Sequence, residues 1–165
     1  MKSKELYDKA SIECVVSISP YAGLERKVMS KNSRMSVETA LCIKRCFENV
    51  IITSLYPRSS ISIHLNVISN DGGLLSACIN ATTLALVNAG IPMSDLLVSC
   101  TVGYIEKTSL IGMLLSRRGH SIDLNNQETR SGGVILPMAW MPLTNKFPLV
   151  TMDSKIPLDV LEVCL

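Results

Sequence analysis

Histidine is nearly missing from this chain, with His64 and His120 the only two in 165 residues. No Cys-x-x-Cys pair is present either, so the usual materials of a zinc site are lacking and no metal is expected. Net charge is small. A formal +2 creates no global field that would draw nucleic acid, and any such contact has to come from a local cluster. No apolar segment follows the charged start Met1–Glu5, which speaks against a secretory signal and for an intracellular protein. The chain has no internal repeat and no low-complexity tract. Between Asp71 and Asp95 charged residues vanish altogether, but Ser76, Asn80, Thr82, Thr83, Asn88 and Pro92 interrupt the stretch. A helix buried in a soluble core is expected there rather than a membrane span.

What the chain does contain is enough apolar material for a core. Hydrophobic residues make up 47% and charged residues 18%, and the length suits one compact domain over residues 1–165. Six cysteines are scattered through it, at 14, 42, 46, 78, 100 and 164. Without the dense spacing of a disulfide scaffold they read as reduced thiols. Cys42 and Cys46 are an i,i+4 pair that could grip a metal, but they lack partners in sequence.

Residues 11–19, SIECVVSIS, suit a strand, and the loop after it, Pro20 to Asn32, carries Arg26, Lys27 and Lys31. Ser36 offers an N-cap for an amphipathic helix ending near Leu55, with Ala40, Ile43, Phe47, Val50 and Ile51 inward. Strict alternation over 61–69 marks a strand with Ile61, Ile63, Leu65 and Val67 on one face and His64 on the polar one. An Asn70-Asp71-Gly72-Gly73 turn then leads into a helix over 74–89, stopped by Gly90 and Pro92. Asp71 is expected to shape the turn and cap that helix. Ala77, Ala81, Ala85 and Ala89 form a smooth stripe for close packing. Beyond lie a strand at 97–104, a surface loop at 114–131, a hairpin of 134–141 with 147–152, and a helix starting at 156–165. Pro137 and Pro142 suggest an edge or a bulge in the hairpin, and Trp140 reads as core or interface.

The run NDGGLLSACINATTLALVNAGIPMSDLL, residues 70–97, resembles the most diagnostic segment of the RNase PH family. LERK at 24–27, LYPRSSISIHLNVISNDGG at 55–73, GYIEKTSL at 103–110 and MDSKIPLDVLE at 152–162 are similar to its exosome-ring branch. The resemblance implies an α/β (α+β) domain of the RNase PH-like, ribosomal protein S5 domain 2-like type. It has a mixed sheet packed against helices, with further strands before the point where this chain begins. It also implies a place in a six-membered exosome ring among related subunits and RNA-binding cap subunits, with single-stranded RNA threaded through the channel. No cofactor and no membrane attachment are implied, and the location is nuclear, nucleolar and cytoplasmic.

Phosphorolysis attacks the last phosphodiester with inorganic phosphate, so a working site must hold two anions together with cationic and N–H donors. Active relatives continue their Gly-Gly turn with a hydroxyl residue and an arginine. This chain has Leu74 and Leu75. Where relatives place a catalytic aspartate before the strand near Val134, it has Ser131, Gly132 and Gly133. Asp71, Gly72 and Gly73 therefore read as the remnant of a phosphate loop with no catalytic residue, and Asp123 and Glu128 in SIDLNNQE are secondary candidates for a metal or catalytic role. Arg26 and Lys27 keep the paired basic character that contacts RNA phosphates in relatives. Tyr21 is the one aromatic nearby, so sequence-independent backbone contact is the expected mode.

Overall fold

The computed structural model describes residues 7–26, 33–104, 120–130 and 134–152. Lys27, Lys31, Ser131 to Gly133 and the expected C-terminal helix lie outside these residues.

Alternation builds the first layer. Strand β1 (Ser11–Ile18) and strand β2 (Ser60–Val67) run parallel in register, Ile12 beside Ile61 and Val16 beside Leu65. Their inner faces enter the core, and His64 on the outer face is exposed, as its place in the alternation requires. Helix α1 (Arg34–Glu48) buries Ile43, Cys46 and Phe47. It is capped by Ser33, not Ser36: the Ser33 hydroxyl accepts from the Ser36 amide at 3.3 Å, and Ser36 itself is buried in the first turn. The helix stops at Glu48, well short of Leu55, because Asn49–Val50 turn the chain and a single 3₁₀ turn at Thr53–Leu55 follows. Val50 and Ile51 still reach the core from this turn.

Helix α2 (Leu74–Asn88) lies the other way round from the alanine-stripe expectation. Ala77, Ala81, Ala85 and Ala89 face solvent, and Leu84 is 71% exposed. The face turned inward is partly polar, because strand β3 (Val98–Tyr104) runs beneath it and offers main-chain groups to bond. Asn80 bonds Ser99 twice, amide to carbonyl and carbonyl to amide, both at 2.8 Å. The Thr83 hydroxyl donates to the Leu97 carbonyl at 2.8 Å, and the Ser76 and Thr101 hydroxyls meet at 2.7 Å. Buried polar groups are tolerated because each has a partner.

Strand β3 sits in an antiparallel sheet of order β4-β3-β5-β6, with β4 (His120–Ile122), β5 (Val134–Met141) and β6 (Lys146–Val150). The α/β class holds, its strands divided between a parallel pair and this sheet, and one apolar core joins both to the helices. One expectation needs correction: the stretch 114–131 is not wholly loop, since β4 and a short helix α3 (Asn126–Arg130) fall within it. Of the edge or bulge expected of the hairpin, the bulge is found, since β5 lies between β3 and β6 and its register with β6 shifts between Ala139 and Met141. Pro137 is tolerated in this central strand because its carbonyl, accepting from Thr151, faces the side where β6 runs out, so little pairing is lost for want of its N–H. Trp140 is 40% exposed and donates from Nε1 to Asn145 across the hairpin at 3.1 Å, so it is not a core residue.

One buried carboxylate ties the β5–β6 turn to the segment that leads into β3. Asp95 accepts from the backbone amides of Leu96 (2.7 Å) and Thr144 (2.9 Å) and from the Thr144 hydroxyl (3.1 Å). Burial pushes its pKa up, but these donors outweigh that and leave it below the ordinary carboxylate value.

Candidate functional site

Parallel neighbours deliver the segments that follow them to the same end of a sheet. The loop after β1, bearing Arg26, and the loop after β2, bearing Asp71, Gly72 and Gly73, therefore become neighbours. The Asn70 amide ties them by donating to the Ala22 carbonyl at 2.7 Å. Arg26 and Tyr21 are exposed on this loop, and Lys27 beside Arg26 lies outside the described residues.

The turn itself is built on conformations only glycine adopts easily. Gly72 and Gly73 have φ of 125° and 57°. The Leu124 carbonyl oxygen packs directly where Gly72 would carry a Cβ, and Asp123 Oδ1 comes within 2.8 Å of the Cβ that Gly73 lacks. Asn70 Oδ1 accepts from the Gly72 amide at 3.1 Å. Asn70 thus takes the part expected of Asp71, which is exposed, and α2 begins at Gly73 with no side-chain cap.

Asp123 is held in the left-handed region (φ 63°), with its amide donating to the Thr101 carbonyl at 2.8 Å. A non-glycine residue there is strained, and the strain brings its carboxylate against the Gly72–Gly73 turn. Glu128 is occupied locally, accepting from the Asn125 amide at 2.9 Å as α3 begins. Among the described residues no cluster of three metal-binding side chains forms, and the five described cysteines are free. Burial, with Cys42 adding to it, pushes the Cys46 thiol up to about 11. Burial followed by Cys78 does the same to Cys14, so neither thiol is a ready nucleophile.

Above the turn lies a cleft of about 400 Å³. Leu74, Leu75, Ile135 and Pro137 form its apolar walls, with Thr39 and Thr129 among its hydroxyls. Glu38 is the one charged side chain among its described lining residues, and Arg34 holds it through Nε at 2.7 Å. A neighbouring hollow of about 250 Å³ shares Met35, Asn70 and Asn126 with the cleft and reaches Gly23, Glu25 and Arg130. The cations placed near the cleft are Arg34, bonded to Glu38, and Arg130, in the adjoining hollow, and the cleft itself has none among its described residues. Sequence reasoning missed Arg34 and Arg130. Five residues of α3 are too few to show a period, and Arg34 precedes the cap site chosen from the pattern.

Comparison with known proteins accounts for this arrangement. The family model described as "3' exoribonuclease family, domain 1" (RNase PH) matches residues 1–92. The exosome complex component RRP41 of Mus musculus is 37% identical over 161 residues, covering 98% of this chain and 61% of that protein. The RRP41 homolog of Arabidopsis thaliana is 40% identical over 155 residues, covering 94% and 59%. Rrp41 of Pyrococcus horikoshii is 35% identical over 147 residues, covering 89% and 54%. The chain thus spans about three fifths of the length of these curated relatives. The crystal structure of rice (Oryza sativa) Rrp46 superposes with a TM-score of 0.78 over 99% of this chain and 68% of that one, and at 24% identity it speaks for the fold alone. No described helix is long and apolar enough to cross a membrane. With a family model over more than half its length and its Gly-Gly turn in the expected place, the chain belongs to the RNase PH, or 3′ exoribonuclease, family.

Proposed function

We propose that this chain is a non-catalytic structural subunit of an exosome ring, supporting 3′-to-5′ RNA processing and degradation and touching single-stranded RNA in the channel. One observation carries the reading. The cleft above the Gly72–Gly73 turn presents Leu74 and Leu75, and no described side chain lining it is cationic, Arg34 reaching only its partner Glu38. An attacking phosphate held against a phosphodiester needs such donors. The identity to exosome components supports a ring role, with related ring subunits and RNA-binding cap subunits as partners and the nucleus, nucleolus and cytoplasm as its location. Arg26, exposed on the loop after β1, and Lys27 are the residues assigned to RNA phosphates. The expected result is that the ring containing this chain shows no phosphate-dependent shortening of 3′-labelled RNA attributable to it. Replacing Arg26 and Lys27 together by alanine should weaken RNA binding regardless of sequence and lower its salt dependence by about two ionic contacts; an unchanged salt slope removes them from the interface.

The position of Asp123 favours a second reading, an active phosphate-dependent exoribonuclease with a displaced acid. Phosphorolysis that disappears on Asp123→Asn alone would establish that reading and retire the first.

A further inference from the structure

The chain contains one Asp-Gly pair, Asp71-Gly72, and no Asn-Gly pair. Such a pair carries a latent reaction. Glycine has no side chain to shield its amide, so that nitrogen can close on the carboxyl carbon of the aspartate before it. The N–Cγ bond forms, the protonated carboxyl gives up its hydroxyl and the amide its proton, and the two leave as water. A five-membered imide remains. Water then reopens it at one of its two carbonyls. One product is aspartate again; the other is isoaspartate, in which the main chain runs through the former side chain and is one methylene longer.

The folded turn withholds the nitrogen. Its proton is committed to Asn70 Oδ1 at 3.1 Å. Asn70 is itself fixed on both sides, its amide donating to the Ala22 carbonyl at 2.7 Å and its carbonyl accepting from Asn126 Nδ2 at 3.1 Å. Ring closure needs the peptide between Asp71 and Gly72 to rotate towards the aspartate side chain, which breaks the bond to Asn70. It also moves Gly72, and the Leu124 carbonyl oxygen packs where a Cβ of that residue would sit. Asp71, by contrast, is exposed, so water and a proton reach its carboxyl. The electrophile is open and the nucleophile is held. We propose that Asp71-Gly72 is a site of isoaspartate formation that the fold keeps closed, with Asn70 as its guard. Unfolding or the loss of Asn70 opens the site. The lesion then falls at the start of α2, where the close approach of Leu124 leaves no room for a longer main chain.

The test ages the full chain at physiological temperature and pH. Isoaspartate at residue 71 is counted by mass spectrometry of the peptide that carries it and by enzymatic methylation of the isoaspartyl carboxyl. The folded chain should form it about tenfold more slowly than the same chain in denaturant, the rate equivalent of one hydrogen bond that must break first. Asn70→Ala, folded, should approach the unfolded rate, and Asn70→Asp, which retains an acceptor oxygen, should stay near the unaltered chain. Asp71→Glu, whose ring would be six-membered, should remove the signal in every state, and a signal that persists in it overturns the assignment to this pair. Equal rates in the folded and unfolded chain overturn the proposal. So does an Asn70→Ala chain that keeps its urea midpoint and isomerises no faster. Where Asn70→Ala does not fold, hydrogen exchange at the Gly72 amide of the unaltered chain decides: slow exchange supports the guard, and exchange at the rate of a free peptide overturns it.

Discussion

Helices α1 and α2 are each fifteen residues long and share one core, but their first turns are built on opposite plans. The start of α1 is closed by its own sequence, with Ser33 reaching the Ser36 amide and Arg34 bridging to Glu38 one turn on. No side chain closes the start of α2. Two left-handed glycines lead into it, and the segment Asp123–Leu124 from beyond β4 folds against them. One helix end is arranged for local stability and the other for close approach of something else. Against these glycines lie the chain's own backbone on one side and a leucine-walled cleft on the other.

Substitution can break this contrast. The largest effect is expected at Gly72. A methyl group there meets the Leu124 carbonyl and forces an unfavourable φ, so Gly72→Ala should cost about 3 kcal/mol or more. Gly90→Ala, also left-handed but with open space around it, should cost only about 1 kcal/mol. Urea unfolding of both variants measures the difference, and equal losses would mean that the close approach over the turn is not there. Next comes the inward face of α2. Asn80→Ala strands the amide and carbonyl of Ser99 and should cost about 2 kcal/mol by the same measurement. At the start of α1 the effect should be smaller. Ser33→Ala removes one cap for about 1 kcal/mol, and a loss as large as that of Asn80→Ala would erase the distinction between the two helices.

The last prediction sharpens the comparison beyond α2, in the segment that leads into β3. Asp95 has a folded-state pKa below its unfolded one, so its contribution to stability is present above the unfolded carboxylate value and is lost as pH falls through the folded one. Urea midpoints followed from neutral pH into the acid range should decline more steeply for the unaltered chain than for Asp95→Asn. Parallel declines would show that the Leu96 and Thr144 amides do not hold the carboxylate as described.

Most of the secondary structure was legible where a period governs burial. In β2, Ile61, Ile63, Leu65 and Val67 turn inward as their alternation requires, and α1 buries Ile43 and Phe47 at helical spacing. Legibility failed where a tertiary partner rather than a period decides. Nothing within α2 says that Ser76 and Asn80 will find groups of β3 or that Thr83 will find the Leu97 carbonyl before it, so its alanines looked like the packing face when the opposite face, Ile79 and Leu86 together with these polar residues, is. Three residues of β4 and five of α3 carry too little pattern to separate from loop. At the site, the Gly-Gly turn and the two leucines were visible in sequence. The approach of Asp123 and the ring of Arg34 and Arg130 around the cleft needed the segment after β4 to be folded over.

The pairing of β1 with β2 has a consequence for how the molecule comes to be. Ser11 meets Ser60 and Ile18 meets Val67, each pair 49 positions apart, so no part of that ladder can zip from a tight hairpin. During synthesis β1 cannot meet β2 until roughly fifty more residues have emerged, and joining the two closes a loop of that size at an entropic cost that local contacts do not offset. Assembly of the β1–β2 pair is therefore expected to trail the helices and the β5–β6 hairpin.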